Sequence, residues 1–186
     1  MRKNFGAKPF TYPQPVFIIA TYDEEGNPDA MNAAWGGIND TNELYMCLTA
    51  SHKTVKNILA RREFTVSMGT ARTVVACDYV GIESANKVAN KLEKAGFHTT
   101  KAEHVDAPLI DELEIAVECR LISYDPGTGR LIGEIVNVAA DESVLDENGK
   151  IDVAKAAPIS FDPFNNTYHV LGEKVGDAFR DGLKLK

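Results

Sequence analysis

Hydroxyl and ammonium groups cluster where the sequence passes from a predicted strand into a predicted helix. The apolar run 44–48 is typical of a buried strand, and apolar residues then recur at helical spacing over 54–62. The polar residues at the junction are Thr49, Ser51, His52, Lys53 and Thr54. A helix start presents backbone N–H groups without intrahelical acceptors and the positive end of the helix dipole. These groups could bind an anion such as a phosphate together with Lys53, or Ser51 or Thr54 could simply cap the helix.

Lys53 makes the anion interpretation worth testing. A cation in the first helical turn opposes the helix dipole, and a bound anion would remove this conflict. Many surface helices nevertheless begin with Ser and Lys, so helix capping accounts for the local pattern slightly better than anion binding does. The local pattern alone leaves both interpretations open.

The composition is that of a globular domain. The chain has 186 residues, 44% hydrophobic and 25% charged, and we expect a single domain over 1–186. Twenty basic against 27 acidic residues give a net charge of −7, which argues against a nucleic-acid surface. We find neither a signal peptide nor an apolar run long enough to cross a membrane. The three widely spaced cysteines predict reduced thiols in a cytoplasmic protein, with Cys47 and Cys119 in the core.

The apolar patterns predict a mainly β chain with helices inserted between strands. The predicted strands cover residues 16–22, 44–49, 64–68, 116–124 and 130–140. The predicted helices cover residues 54–62 and 84–95, with Gly96 as the stop of the second, and residues 73–79 form a short helix or turn. The pattern over 30–37 is irregular, and DPGTG at 125–129 predicts a hairpin turn, with a bulge or bend at Gly133. No Gly-rich dinucleotide fingerprint follows a strand, so an antiparallel barrel or Greek-key sheet with peripheral helices is favoured over a Rossmann domain.

The sequence holds no recognisable constellation for hydrolysis or metal binding. The four histidines lack metal-ligand spacing, and neither a nucleophile elbow nor a phosphate loop occurs. What remains is a set of small residues, amides, hydroxyls and lysines, which suits the positioning of a cofactor that carries the chemistry itself. The set comprises Asn32, Ala33, Ala34 and Trp35, residues 49–54, Asn57 and the segment 77–91. The two glycines after Trp35 could let a planar ring approach the backbone, although a single Trp usually belongs to a core.

The order of these motifs resembles the flavin reductase-like proteins of the FMN-binding split barrel, and among them the flavoredoxin-like branch. The resemblance rests on VFIIATYDEEGNPDAMNAAW, LTASHKTVKNI, EFTVSM, DYVGIESANKVANKLEKAGF, VDAPLI, VECRL, IGEIV and YHVLGEKVGDAF. Each motif alone is weak, and the ordered series over most of the chain carries the resemblance. It implies a homodimer of Greek-key split β-barrels with one FMN per subunit, close to the dimer interface.

The same resemblance implies which residues contact FMN. Asn32, Ala33, Ala34 and Trp35 would line the flavin ring, and Thr49, Ala50, Ser51, Lys53, Thr54 and Asn57 would hold the ring and the phosphate. Ser84 would begin an element in which Lys91 reaches the cofactor, Arg130 would lie beside the flavin, and Phe164 or Tyr168 would cover the site. Ala85 stands where the family commonly has Gly, which leaves the backbone path after Ser84 open. A phosphate matches the donors at the helix start, so the resemblance shifts the balance from capping to anion binding.

Three functions are compared on this basis. The first is an FMN-dependent oxidoreductase in which NAD(P)H supplies a hydride, the electrons pass to an acceptor, and no side chain is catalytic. The second is an FMN electron carrier that a partner protein reduces, without NAD(P)H activity of its own. The third, a nucleic-acid-binding barrel, is disfavoured by the acidic charge. We expect FMN as the cofactor and no metal.

Overall fold

The computed structural model describes residues 1–186, and their regular structure is mostly β. The strands are β1 Gln14–Pro15, β2 Phe17–Tyr22, β3 Pro28–Ala33, β4 Gly36–Asp40, β5 Glu43–Cys47, β6 Glu63–Met68, β7 Thr99–Lys101, β8 Pro108–Ile110, β9 Ile115–Asp125, β10 Arg130–Ala140, β11 Ile159–Asp162 and β12 Thr167–Val170. The helices are α1 Lys53–Arg61, α2 Val74–Ile82, α3 Lys91–Ala95 and α4 Val153–Ala156, and two 3-10 turns cover Glu142–Val144 and Asp181–Leu185. The predicted mainly β class with peripheral helices is confirmed.

Seven of the strands form one antiparallel sheet that curls around a core. Their order is β3-β2-β6-β9-β10-β5-β4, so several neighbours in the sheet are distant in the chain, as a Greek-key sheet requires. Phe17 and Ile19 of β2 share one buried cluster with Leu44 and Met46 of β5, near the opposite end of the sheet. A flat sheet would hold these strands far apart, so burial of their shared apolar face requires the sheet to curl. Helix α1 packs against this cluster through Val55 and Ile58, which lie about one helical turn apart.

The second core cluster lies on the other face of β2 and is covered by helices. Val16, Ile18 and Ala20 pack there with Cys77 of α2 and Leu92 of α3. Because successive side chains of a strand point to opposite faces, β2 supplies both clusters, and its residues Phe17–Ala20 are all buried. Helices α1, α2 and α3 all contact β3.

The hairpin of β9 and β10 confirms the prediction made for residues 125–140. The register shifts between Ile132 and Gly133, at the predicted bulge. A Cβ atom at position 133 would lie 2.5 Å from Cζ of Phe64, so only glycine leaves room for this core ring. The bulge glycine therefore fixes both the bend of β10 and the packing of the core.

Two of the predicted elements are wrong in the structure. Residues 30–37 are not irregular: they belong mainly to β3 and β4, which pair with β2 and β5. Small residues and Asn have low β propensity, and pairing with a buried neighbouring strand overrides it. The helix predicted over 84–95 is reduced to α3, because the Asn86 amide bonds the Ser84 hydroxyl and the Ser51 carbonyl instead of continuing a helix. The stop at Gly96 is confirmed, with a φ of 74°.

The cysteines are free thiols, as expected, but one of them is not in the core. All three cysteines are free, and Cys77 and Cys119 are buried. Cys47 is exposed, which contradicts its predicted place in the core, because the last residue of β5 points to the outer face of the sheet. None of the four helices combines the length and the apolar character needed to cross a membrane. The structure contains no cluster of three or more residues suited to hold a metal ion.

Candidate functional site

A cleft of about 330 Å³ opens at the start of α1, between α1, α2 and the segment that leads to α3. It is lined by Met31, Ser51, His52, Lys53, Thr54, Val80, Gly81, Ile82, Glu83, Ser84, Ala85, Asn86, Lys87 and Lys91. Five of the residues that the resemblance assigns to FMN contact therefore meet in one place, although they lie as far apart as positions 51 and 91. We call this space the α1 cleft.

The start of α1 is not capped by a side chain. His52 is the N-cap residue, and neither its side chain nor another one accepts a hydrogen bond from the first turn. The Thr54 hydroxyl donates to Asp29 instead, and the Ser51 carbonyl accepts from Asn86. The capping interpretation of Ser51 and Thr54 is therefore wrong. The first-turn amides have no intrahelical acceptor and remain donors at the edge of the cleft.

Lys53 has a partial counter-charge in Asp23. Its Nζ lies 3.7 Å from Asp23 Oδ2, and the lysine side chain remains about one third exposed. Burial raises the pKa of the Asp23 carboxyl, but hydrogen bonds from Asn27 and the charge of Lys53 outweigh burial and hold this pKa below its ordinary value. The contact offsets the conflict between Lys53 and the helix dipole in part and leaves the ammonium within reach of the cleft.

Asp29 of β3 ties the two sides of the cleft together. Its Oδ1 lies 2.9 Å from Nζ of Lys91, and its Oδ2 accepts a hydrogen bond of 2.6 Å from Thr54. The side chains of Lys91 and Asp29 are 3% and 5% exposed, so the pair is buried at the base of the cleft. The charge of Lys91 is thus already compensated, whereas Lys87 at the rim forms no ion pair.

The cleft is cationic in a protein that is acidic overall. Three of its lining residues are lysines and one is a glutamate, against a net charge of −7 for the chain. Asn86 adds an amide to the cleft. Gly81 lets α2 pack tightly on β3, because a Cβ at position 81 would lie 2.9 Å from the Cβ of Asn32. Uncapped amides, hydroxyls and ammonium groups form a donor set that suits a compact anion such as a phosphate monoester.

A second cleft, of about 420 Å³, lies on the other side of residues 48–52. It is lined by Trp35, Cys47, Leu48, Thr49, Ala50, Pro126, Gly127, Thr128 and Gly129. The predicted residues Trp35, Thr49 and Ala50 meet here, not in the α1 cleft. Trp35 is 43% exposed, so it is not the core residue that a single Trp usually is. The strand-to-helix junction therefore separates two clefts and lines both of them.

Asn32 and Tyr168 lie between the second cleft and α2. The Asn32 amide donates to the Cys77 carbonyl at 3.0 Å, and the Tyr168 hydroxyl donates to Asp78 at 2.7 Å. Burial first, then the hydrogen bond and the charge of Asp78, raise the pKa of Tyr168 to about 12, so its phenol remains protonated at neutral pH. The Tyr168 ring stands 6.0 Å from Phe161, whose ring stands 6.5 Å from that of Trp35. Ala33 and Ala34 connect Asn32 to Trp35 and are half-buried.

Like Asn32, Ala33, Ala34 and Tyr168, three further predicted residues line neither cleft. Asn57 lies on the buried face of α1, and its Nδ2 has no hydrogen-bond partner. The Arg130 guanidinium donates to Asn39 at 2.7 Å and lies over the ring of Tyr45, 5.5 Å from its centre. Phe164 packs edge-on against Phe10, with ring centres 5.1 Å apart, near the N-terminus.

Sequence reasoning missed Asp29, and it included Asn86 and Lys87 only as part of the segment 77–91 without assigning them a contact. Asp29 follows a turn rich in polar residues, and nothing in its neighbours indicates that it is buried and paired with residue 91. Asn86 and Lys87 were assigned to a helix, where their side chains would have pointed elsewhere. The Ser-x-Asn sequence at 84–86 is the local signal that could have shortened this helix, whereas no local signal indicates Asp29.

Comparison with known proteins identifies the class to which the chain belongs. Residues 10–158 match the flavin reductase like domain, and because this match covers most of the chain, the chain belongs to that family. The structure is similar to flavoredoxin of Desulfovibrio vulgaris (Miyazaki F), with 36% sequence identity and a TM-score of 0.93 over 98% of this chain and 100% of that chain. It is also similar to flavoredoxin from Methanosarcina acetivorans, with 26% identity and a TM-score of 0.86 over 100% of this chain and 98% of that chain.

A third solved structure shares the fold at lower identity. It is the FMN-binding domain of a flavin reductases-like enzyme from Shewanella baltica OS155, with 21% identity and a TM-score of 0.77 over 88% of this chain and 89% of that chain. The expected split β-barrel and the resemblance to the flavin reductase-like and flavoredoxin proteins are confirmed by these matches.

Proposed function

We propose that the protein binds FMN and acts as an oxidoreductase that takes a hydride from NAD(P)H and passes electrons to an acceptor. The observation that carries this proposal is the α1 cleft, where uncapped amides, hydroxyls and ammonium groups meet in a chain of the flavin reductase-like family. Bound FMN would supply the redox chemistry, which requires no acid–base pair among the side chains.

The donor set of the α1 cleft fits the phosphate of FMN. A phosphate monoester near neutral pH carries between one and two negative charges and presents several acceptor oxygens. Lys87 has no counter-charge, Lys53 is only partly compensated by Asp23 at 3.7 Å, and the first turn of α1 supplies amides directed along the helix axis. Lys91 would contribute less than a free lysine, because Asp29 already compensates its charge. In this proposal Ser51, Thr54 and Ser84 complete the phosphate side.

The second cleft suits the flavin ring. Thr49 and Ala50 are continuous in the chain with Ser51, so one ligand could extend from the α1 cleft along this segment to Trp35. Trp35 offers a partly exposed aromatic face, and Asn32, Ala33 and Ala34 provide small and amide side chains next to it. Tyr168 would border the ring region, whereas Asn57, Arg130 and Phe164 would act only if the ligand or a second subunit reached them.

The proposal includes a homodimer with FMN close to the subunit interface, in the cytoplasm. Three free thiols agree with a reducing compartment. The nicotinamide would approach without a dinucleotide fingerprint, since none is present in the sequence. A possible redox partner protein would receive the electrons.

The alternative function is an FMN electron carrier that a partner protein reduces. Similarity to two flavoredoxins over almost the whole chain supports this alternative. Rapid mixing of the FMN-loaded protein with NADH and with NADPH distinguishes the two. Loss of the flavin absorbance at a rate proportional to nicotinamide concentration supports the reductase, and persistence of the absorbance with both nucleotides leaves the carrier.

The phosphate placement is tested by comparing FMN with riboflavin, which lacks the phosphate. Lys53→Ala removes a charge-assisted contact from a partly exposed site, and we expect FMN affinity to fall by about three- to tenfold while riboflavin affinity stays the same. Lys56→Ala is the matched control, because Lys56 lies on the same helix and is exposed away from the cleft. Flavin fluorescence quenching measures both affinities. Equal losses for the two ligands, or equal effects of the two variants, would contradict the placement.

Thr54→Ala should also weaken FMN retention more than Lys56→Ala does. Its hydroxyl is bonded to Asp29, so this loss would come partly from a disturbed Asp29–Lys91 pair and would affect both flavins.

A further inference from the structure

The last residues of the chain, 171–186, which we call the C-terminal tail, make no polar contact with the rest of the protein. Every hydrogen bond and ion pair recorded for them joins two residues of the tail, as in Lys174–Asp177 and Lys184–Asp181. The tail leaves the body after β12 and contains one short 3-10 turn. Its own hydrogen bonds therefore do not attach it to the barrel.

The tail also exposes apolar side chains that a lone subunit would normally bury. Val175 and Phe179 are each 101% exposed and Leu185 is 94% exposed, while Leu183 is 54% exposed. Burying a side chain such as Phe or Leu is strongly favourable, and large apolar residues gathered on a projecting segment typically mark an interaction surface.

Similarity to a related solved structure extends into the tail. The family domain ends at residue 158, before the tail begins. The match to the Desulfovibrio vulgaris flavoredoxin nevertheless covers 98% of this chain with a TM-score of 0.93, so it includes most of the tail. The tail is therefore part of the aligned chain and not an extension peculiar to this sequence.

Charge favours a second copy of this chain as the partner. The tip of the tail, residues 180–186, contains three basic residues and one acidic residue. The remaining residues therefore carry a formal net charge of −9 within the total of −7. A basic, apolar tip is complementary to the acidic body of another subunit.

We propose that the C-terminal tail is an intermolecular clasp: Val175, Phe179 and Leu185 dock on a second copy of the chain, and each subunit holds its partner in this way. In a two-fold symmetric dimer, each tail would contact the same surface of the other subunit, and both sets of apolar residues would be buried together. The inference extends the homodimer part of the proposed function.

Photo-crosslinking tests the clasp directly. A photoreactive phenylalanine analogue replaces Phe179 in a chain with one affinity tag, co-expressed with an unmodified chain that carries a different tag. We expect irradiation to give a product of twice the subunit mass that contains both tags. Crosslinking within one chain, or no crosslinking, overturns the proposal.

Sedimentation of Phe179→Ser and Val175→Ser provides the second measurement. We expect the dimer dissociation constant to rise by about tenfold or more, since each variant removes apolar burial at the interface. Lys174→Ser is the matched control, because Lys174 lies in the tail but outside the basic tip and its side chain is exposed; it should leave this constant within about twofold. Val175 and Phe179 are fully exposed on their own subunit, so these variants should fold. A monomeric parent protein, or an unchanged constant in both apolar variants, overturns the clasp.

Flavin titration of the same variants separates this inference from the proposed function. If the parent binds FMN and the tail variants dimerise as tightly as the parent, the clasp alone is refuted. If the parent protein does not bind FMN, the proposed function is refuted independently of the tail.

Discussion

Replacing Asp29 with Ala should strongly destabilise the protein, because it leaves a buried ammonium group without a counter-charge. The pair with Lys91 is closed at 2.9 Å, and both side chains are at least 95% buried. Removing one partner of such a pair typically costs about 3–5 kcal/mol, most of it from the uncompensated charge. Asp29→Ala also removes the acceptor of the Thr54 hydroxyl, which adds about 1 kcal/mol.

The double variant Asp29→Leu with Lys91→Met isolates the charge effect. When both charges are replaced by apolar groups of similar size, burial of an ion pair no longer has to be offset, and the stability often stays near that of the parent. We therefore expect the double variant to be more stable than Asp29→Ala by several kcal/mol, about the cost of the orphaned charge. An exposed ion pair at a similar distance, Lys184–Asp181 at 2.8 Å, provides the control: Lys184→Ala should leave the unfolding midpoint nearly unchanged.

Urea unfolding followed by circular dichroism gives the midpoint and the slope of each variant, and equal slopes allow the free energies of unfolding to be compared. A loss below about 1 kcal/mol for Asp29→Ala would mean that water from the α1 cleft solvates Lys91, and the buried-pair reasoning would be refuted. A double variant as unstable as Asp29→Ala would refute it as well, because packing and not charge would then be responsible.

Three further predictions concern the bulge, acid stability and thiol access. Gly133→Ala should lower the free energy of unfolding by about 1–3 kcal/mol, because its Cβ would collide with Phe64. Gly172→Ala is the control: no atom lies within 4 Å of its Cβ, so the free energy of unfolding should stay the same. Chemical denaturation measures both values. Burial raises the pKa of Glu118, but its hydrogen bonds outweigh burial and lower it below the ordinary value; the resulting stability is present above the unfolded pKa and is lost as pH falls through the folded one, so Glu118→Gln should flatten the acid side of a stability–pH curve. A thiol reagent should label one cysteine in the native protein, and Cys47→Ser should abolish this labelling; rapid labelling of a second thiol in the native state would contradict the burial of the other two.

Local patterns predicted the elements whose chemistry is contained in a short stretch of sequence. The hairpin around DPGTG, the bulge at Gly133 and the stop at Gly96 all follow from turn geometry within a few residues, and the structure has them at those positions. The polar junction before α1 likewise follows from the change of periodicity there. Residues 30–37 escaped prediction because their strand character comes from the neighbours β2 and β5.

The sequence by itself determined the residue types of the candidate site: hydroxyls, lysines and a helix start, with small residues and one Trp nearby. Only the tertiary structure decided how they combine. Strand register and the curl of the sheet bring Asp29 to Lys91 and Thr54, so the buried pair and the division into two clefts depend on contacts between distant parts of the chain. The same physical cause applies to Cys47, whose side chain faces outward because of its place at the end of β5. Periodicity reports which residues share a face of one element, and it carries no information about which other element that face will meet.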